Sequence, residues 1–117
     1  MNYWKISYIC IMITQEKINE IVNKIATLYA PEKVILFGSY AHGTPDENSD
    51  LDFIIVKNTD LPKHKRGVEL RRLLFGSLVP MDLKVYTPLE FDSELKYKYS
   101  FLNSVVKNSK LLYERTN

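Results

Sequence analysis

The stretch that decides how this chain folds is Gly38-Ser-Tyr-Ala-His-Gly-Thr-Pro-Asp-Glu-Asn-Ser-Asp-Leu-Asp52. The apolar run 34–37 precedes it, and its β-branched and aromatic side chains predict a buried strand. Residues 39–42 can form one helical turn, where free N–H groups and the helix dipole favour a phosphate. A glycine at position 38 lets a ligand approach the backbone closely, and the Ser39 hydroxyl is a further donor. We therefore predict phosphate binding at Gly38 and Ser39.

Two carboxylates close this stretch. Asp50 and Asp52 stand at the start of a second apolar run, 51–56, which predicts another strand. Side chains alternate along a strand, so residues two apart point to the same face. Two negative charges held this close repel each other unless a cation lies between them, and hard oxygen ligands suit Mg²⁺. Asp50 and Asp52 are thus predicted metal ligands.

A third predicted strand supplies one more carboxylate. Residues 81–86 alternate strictly between their two faces, and Asp82 and Lys84 share one of them. If this strand pairs with 51–56, Asp82 joins the two earlier aspartates, and Lys84 neutralises part of the cluster. Three carboxylates are enough to hold two magnesium ions for an in-line phosphoryl or nucleotidyl displacement.

These motifs carry a family resemblance. Gly38-Ser39, ten residues, Asp50-x-Asp52 and a later single Asp82 resemble the signature of the polymerase-beta nucleotidyltransferase superfamily. The short length and the runs Gly-Ser-Tyr-Ala-x-Gly and Ser-Asp-Leu-Asp are most similar to the minimal nucleotidyltransferase (MNT) proteins. The resemblance extends over about residues 14–114. It implies a polymerase-beta-like core and a magnesium-dependent transfer of AMP from ATP to an acceptor hydroxyl.

The same resemblance implies roles for the site residues. Gly38 and Ser39 would bind the β- and γ-phosphates of ATP. Asp50, Asp52 and Asp82 would hold two Mg²⁺ ions and form the catalytic set. Asp82 would also help to remove the proton of the acceptor hydroxyl, because a hydroxyl is a poor nucleophile at neutral pH.

The resemblance also implies a partner. MNT proteins are commonly encoded beside a HEPN-domain protein in pairs that resemble toxin–antitoxin systems, where the MNT protein adenylylates a tyrosine near the ribonuclease site. We expect such a partner here, because so short a chain needs its acceptor delivered by another molecule. Three alternatives stay open: a non-catalytic antitoxin that occludes its partner, an adenylyltransferase acting on a small molecule, and an enzyme that modifies nucleic-acid ends.

Length and composition bound the remaining possibilities. The 117 residues suit one domain, 14–117, after an N-terminal extension, 1–13, that forms a strand or an arm. The net charge of +2 is too mild to argue for nucleic-acid binding, and about 20 apolar residues would be needed to span a membrane. One cysteine, Cys10, excludes an internal disulfide framework and fits a cytoplasmic protein. The sequence leaves open whether the protein forms homo- or hetero-oligomers.

The flanking segments are predicted as scaffold. Thr14 caps a helix over 15–29, whose apolar stripe includes Leu28. A basic helix over 62–78 packs its leucines inward, including Leu78, and Arg66 is the cation we consider best suited to reach a phosphate. Residues 87–90 form a capping box, the aromatic residues of 97–101 pack in a core or an interface, and 110–114 form a last edge strand. The loop acids Asp46 and Glu47 are solvated turn residues.

The fold class we predict is α/β, or α+β by stricter usage. A small mixed sheet of three or four strands has helices packed largely on one face. The strand ends carry the predicted site residues.

Overall fold

The computed structural model describes residues 12–116, and most of the predicted N-terminal extension lies outside that range. Its centre is one mixed four-stranded sheet in the order β3-β2-β1-β4. The strands are β1 Lys33–Phe37, β2 Leu51–Val56, β3 Met81–Tyr86 and β4 Lys110–Glu114. Strand β1 runs antiparallel to both β2 and β4, whereas β2 and β3 are parallel. The predicted mixed sheet is confirmed, and so is an edge strand at 110–114.

Five α-helices accompany the sheet within the described residues. They are α1 Gln15–Lys24, α2 Ser39–His42, α3 Lys63–Leu73, α4 Pro88–Leu95 and α5 Phe101–Val106, and α1 continues into a π-helical turn, Ile25–Tyr29. Within the part of the chain that the structure describes, none of these helices has the length and apolarity needed to cross a membrane.

The sheet is covered on both faces, unequally. The larger core lies on one face, where side chains of α1 and α3 pack on alternate residues of β1, β2 and β3, such as Val34, Phe53 and Leu83. The smaller core on the other face joins the remaining strand residues to α4 and α5 through Phe91 and Leu102. The main packing is thus on one face as predicted, and two short helices cover the second.

Two helices differ from the sequence prediction in detail. Leu28 is 57% exposed, because the π-helical turn buries Ile25 and Tyr29 and leaves Leu28 outside the apolar stripe. Helix α3 ends at Leu73 instead of continuing to Leu78. Gly76 and Leu78 both have positive φ angles, +91° and +59°, which a right-handed helix cannot contain. Leu78 is therefore 95% exposed rather than part of the inner face.

Candidate active site

The turn after β1 is shaped by contact with a carboxylate. Gly38 has φ +76° and ends β1, and its carbonyl oxygen accepts hydrogen bonds from the N–H groups of Ala41 and His42 at 3.1 Å. A Cβ atom at position 38 would clash with Oδ2 of Asp52. Glycine is needed here for its left-handed backbone and for the space that the Asp52 side chain occupies. Ser39 follows as the first residue of α2 and is half-buried.

Asp52 lies at the centre of the site. In the sheet it is the partner of Phe37 on β1 and of Asp82 on β3. Adjacent strands lie about 4.8 Å apart, so the carboxylates of Asp52 and Asp82 start from neighbouring backbone positions on the same face. Burial raises the pKa of Asp52, the charges of Asp82 and Asp50 raise it further, and Lys84 opposes them. The site therefore concentrates negative charge that a cation would offset.

Asp82 has a cation beside it. The ammonium Nζ of Lys84 lies 3.2 Å from Oδ2 of Asp82, and both side chains are partly exposed. Lys84 sits two residues further along β3 on the same face, as the strand alternation predicts. It reduces the repulsion between Asp82 and Asp52.

Asp50 stands apart from this pair. It precedes β2 and is exposed, although its charge still acts on Asp52. Within residues 12–116, no three His, Cys, Asp or Glu side chains are grouped so that they could hold a metal ion together. The structure thus brings Asp52 and Asp82 together beside Gly38 and Ser39, and it leaves Asp50 at the margin.

The donor set still suits a magnesium ion. Mg²⁺ is usually held by one or two carboxylates together with phosphate oxygens of its substrate, so a closed cage of three protein ligands is not required. Asp52 and Asp82 offer hard oxygen donors on adjacent strands, and burial together with the charges of Asp82 and Asp50 raises the pKa of Asp52. Asp52 and Asp82 therefore have the oxygen ligands that Mg²⁺ prefers.

The basic helix contradicts one prediction from the sequence. The Arg66 side chain is only 6% exposed, and its Nη1 lies 2.7 Å from Oε1 of Glu90. Its Nε donates to the carbonyl oxygen of Leu61 at 2.7 Å, and Nη1 also donates to that of Val85. With its donors engaged inside the protein, Arg66 ties α3 to β3 and α4 and is not available to a phosphate. The cluster of cations on α3 gave no signal that one of them is buried.

A pair of packed aromatic rings, Phe37 and Phe101, lies beside the carboxylates and is a second feature that the sequence did not reveal. The ring of Phe101, at the start of α5, packs edge-to-face on Phe37 with centroids 5.7 Å apart. Lys84 Nζ lies 5.5 Å from the Phe101 centroid, so this ring borders the charged cluster. Tyr97 and Tyr99 are 69% and 90% exposed and do not belong to the core.

The loop between α2 and β2 is stabilised by hydrogen bonds among its own residues. Oδ1 of Asp46 accepts from the backbone N–H of Asn48 at 2.8 Å and from the Ser49 hydroxyl at 3.2 Å. Asp46 therefore closes the turn that leads into β2, in agreement with its prediction as a turn residue. His42 is exposed at the end of α2.

The chain is similar to known proteins in both sequence and fold. The family profile described as "Nucleotidyltransferase domain" matches residues 16–112. A Methanocaldococcus jannaschii protein described as a "putative protein adenylyltransferase" is 32% identical over 105 residues, which cover 87% of this chain and 100% of that protein. A crystal structure of a "putative nucleotidyltransferase" from Sulfolobus solfataricus aligns with a TM-score of 0.59 at 25% identity, over 86% of this chain and 79% of that one.

Proposed function

Because the chain belongs to the nucleotidyltransferase-domain family, we propose that it transfers AMP from ATP to a hydroxyl group of a protein acceptor. The observation that carries the proposal is the pairing of Asp52 with Asp82 next to the Gly38 turn. The similarity to a protein described as a protein adenylyltransferase supports AMP as the group transferred and protein as the acceptor.

In this mechanism Gly38 and Ser39 bind the β- and γ-phosphates through backbone N–H groups and the serine hydroxyl. Mg²⁺ held by Asp52 and Asp82, with Asp50 at the margin, would offset the triphosphate charge and make the acceptor hydroxyl more acidic. Asp82 accepts the proton of that hydroxyl while the hydroxyl oxygen attacks the α-phosphorus. The bond from the α-phosphorus to the bridging oxygen breaks, pyrophosphate leaves with the electron pair, and AMP stays on the acceptor.

The acceptor we propose is a tyrosine of a HEPN-type toxin, which makes this chain the antitoxin of a toxin–antitoxin pair. The support is the resemblance of the Gly-Ser-Tyr-Ala-x-Gly and Ser-Asp-Leu-Asp runs to MNT proteins.

A labelling experiment tests the reaction. The protein is incubated with its genomic neighbour and with ATP labelled at either the α- or the γ-phosphate. We expect label in the neighbour from α-labelled ATP alone, because AMP transfer keeps the α-phosphorus and releases the other two. Asp52→Asn should lower the rate about a hundredfold or more, because losing a metal ligand removes several kcal/mol of transition-state stabilisation.

The matched control is Asp92→Asn, which removes the same charge from an exposed position of α4. It should leave labelling unchanged. Label from γ-labelled ATP would mean phosphate transfer and would overturn the proposal. Equal labelling by the Asp52→Asn protein would show that the carboxylate cluster does not catalyse it.

A further inference from the structure

A groove runs between α3 and the outer edge of β3. It has a volume of about 350 Å³, and its lining includes Val68 and Arg71 from α3 and Leu83, Lys84 and Val85 from β3. Lys63, at the start of α3, lies over the ring of Tyr86 at the end of β3. Arg66, further along α3, contacts the carbonyl oxygen of the preceding strand residue, Val85. Helix and strand therefore run in opposite directions, and the Arg71 end of the groove is the one nearer Asp82.

The outer edge of β3 has backbone groups that can bind another strand. In a parallel pair, the N–H and C=O of one residue point to the same neighbour, and alternate residues point the other way. The Pro80 carbonyl oxygen accepts from Leu51 of β2, and that of Tyr86 accepts from Lys57 just after β2. The carbonyl oxygens of Leu83 and Val85 therefore face outward. The Val85 carbonyl accepts from Arg66, whereas in residues 12–116 no hydrogen bond outside the sheet engages the peptide groups of Leu83.

The groove is positively charged. The cations Lys63, Arg71 and Lys84 line it, and Lys84 is paired with Asp82. Within the described part of the chain, neither Lys63 nor Arg71 forms an ion pair with a carboxylate side chain. Residues 1–11 contain no Asp or Glu that could provide one. The positive charge of this groove therefore favours the binding of an acidic ligand.

The strand order separates this groove from the turn where the triphosphate is proposed to bind. Gly38 and Ser39 follow β1, Asp52 lies on the central strand β2, and Asp82 lies on β3, beyond which the groove begins. Along the strand order, the triphosphate and the groove would thus lie on opposite sides of the two carboxylates, and the groove reaches their face of the sheet through Lys84 and Tyr86 at the β3 edge. A hydroxyl that arrives from the β3 edge could therefore attack the α-phosphorus from the side opposite the leaving oxygen, as an in-line displacement requires.

We propose that the groove binds an extended, acidic segment of the protein acceptor, which adds as a strand to the outer edge of β3. Backbone groups of Leu83 pair with the segment, apolar side chains contact its alternate residues, and Arg71 and Lys63 attract its carboxylates. The segment would direct a neighbouring hydroxyl toward Asp82. This inference rests on the proposed function, since it specifies the class of protein that is modified.

The test is a binding measurement that requires no reaction. The probe is a fluorescein-labelled peptide of about ten residues, alternating Glu and Val with one central Tyr. We expect fluorescence anisotropy to show saturable binding to the full chain. Arg71→Glu should raise Kd about tenfold or more, because it reverses a charge in the groove. The matched control Arg72→Glu makes the same change at the next residue of α3, outside the groove, and should alter Kd less than about twofold.

Two further peptides identify what is recognised. Replacing every Glu by Lys should abolish binding, and methylating alternate backbone nitrogens should abolish it if the peptide pairs with β3. Equal effects of Arg71→Glu and Arg72→Glu, or binding that survives methylation, would overturn the proposal. So would a dimer of this chain that Arg71→Glu dissociates while no peptide binds, because the groove would then take a second copy.

The outcome is separable from that of the proposed function. The Asp52→Asn protein should bind the acidic peptide with the wild-type Kd although its rate of AMP transfer falls about a hundredfold or more. Loss of AMP transfer with retained peptide binding therefore concerns the carboxylates, and wild-type AMP transfer without peptide binding would refute only the groove.

Discussion

At the scale of single residues, the site depends on how closely Gly38 and Asp52 approach each other. The Asp52 carboxylate occupies the space where any other residue at position 38 would place its Cβ. A glycine between a strand and a short helix looks in the sequence like a phosphate-binding turn. The structure adds a second reason for it, which spacing along the chain cannot reveal because the contact joins β1 to β2.

Gly38→Ala should therefore impair both stability and activity. We expect unfolding to become easier by about 1–3 kcal/mol, because Ala disfavours this backbone conformation, and AMP transfer to fall about a hundredfold as Asp52 is displaced. Gly43→Ala is the matched control, since Gly43 has φ +77° but no atom within 4 Å of an added Cβ. Chemical denaturation and the labelling assay compare the two proteins. Wild-type activity in Gly38→Ala would contradict the importance of this contact.

Asp52→Asn should stabilise the folded protein while inactivating it. Burial and the neighbouring carboxylates raise the pKa of Asp52, so its ionised form opposes folding at neutral pH. A neutral Asn removes that opposition, and Tm should rise by roughly 1–4 °C in buffer with a metal chelator. Thermal melts of both proteins, with Asp92→Asn as the control for charge, provide the measurement. A lower Tm for Asp52→Asn would mean that the ionised Asp52 carboxylate stabilises the folded protein, which contradicts this prediction.

At the scale of elements, the capping box at 87–90 does more than begin α4. Thr87 accepts from the Glu90 N–H at 3.2 Å, and Glu90 Oε1 accepts from the Thr87 N–H at 2.9 Å, as predicted from the sequence. The same Glu90 carboxylate also accepts hydrogen bonds from the guanidinium group of Arg66 on α3. One residue thus joins a helix start on one face of the sheet to a helix on the other.

The stability that Glu90 provides should depend on pH. The hydrogen bond from Arg66 is the main cause that lowers the pKa of Glu90 from 4.5 to about 2. Because the folded-state pKa is the lower one, this contribution is complete above 4.5 and is lost as pH falls toward 2. Glu90→Gln should cost about 1–3 kcal/mol at neutral pH and progressively less in acid. Denaturant titrations at several pH values measure the difference, with Glu69→Gln as control, and a difference independent of pH would contradict this account.

Local sequence patterns predicted most helices and strands correctly. The predictions that failed depend on backbone turns or on contacts between distant segments. An apolar run identified β2 and alternation identified β3, both with their observed bounds, and Thr14 was recognised as the α1 cap. The apolar leucines after Leu73 suggested a longer α3, because helical spacing alone does not show that the backbone turns at Gly76. The burial of Arg66 was not predictable either, since its partners Leu61, Val85 and Glu90 belong to three different segments.

At the scale of the whole molecule, the sheet order arranges the site. The sequence predicted that Asp82 would join the other aspartates if its strand paired with β2, and the parallel pairing of Asp52 with Asp82 meets that condition. The order of all four strands could not be read from the sequence, because it depends on how connections cross the sheet. Under the proposals made above, the nucleotide would bind on the side of β1 and the acceptor on the side of β3. The roles of the individual site residues remain predictions.

The measurement that tests the central claim most directly is the intact mass of the protein encoded beside this chain, after coexpression with it. We predict an increment of one or more AMP groups, which is absent when the coexpressed chain carries Asp52→Asn. Peptide mapping should place the AMP on a hydroxyl side chain. An unchanged mass while the two proteins copurify would contradict adenylylation and favour an antitoxin that acts by occlusion alone.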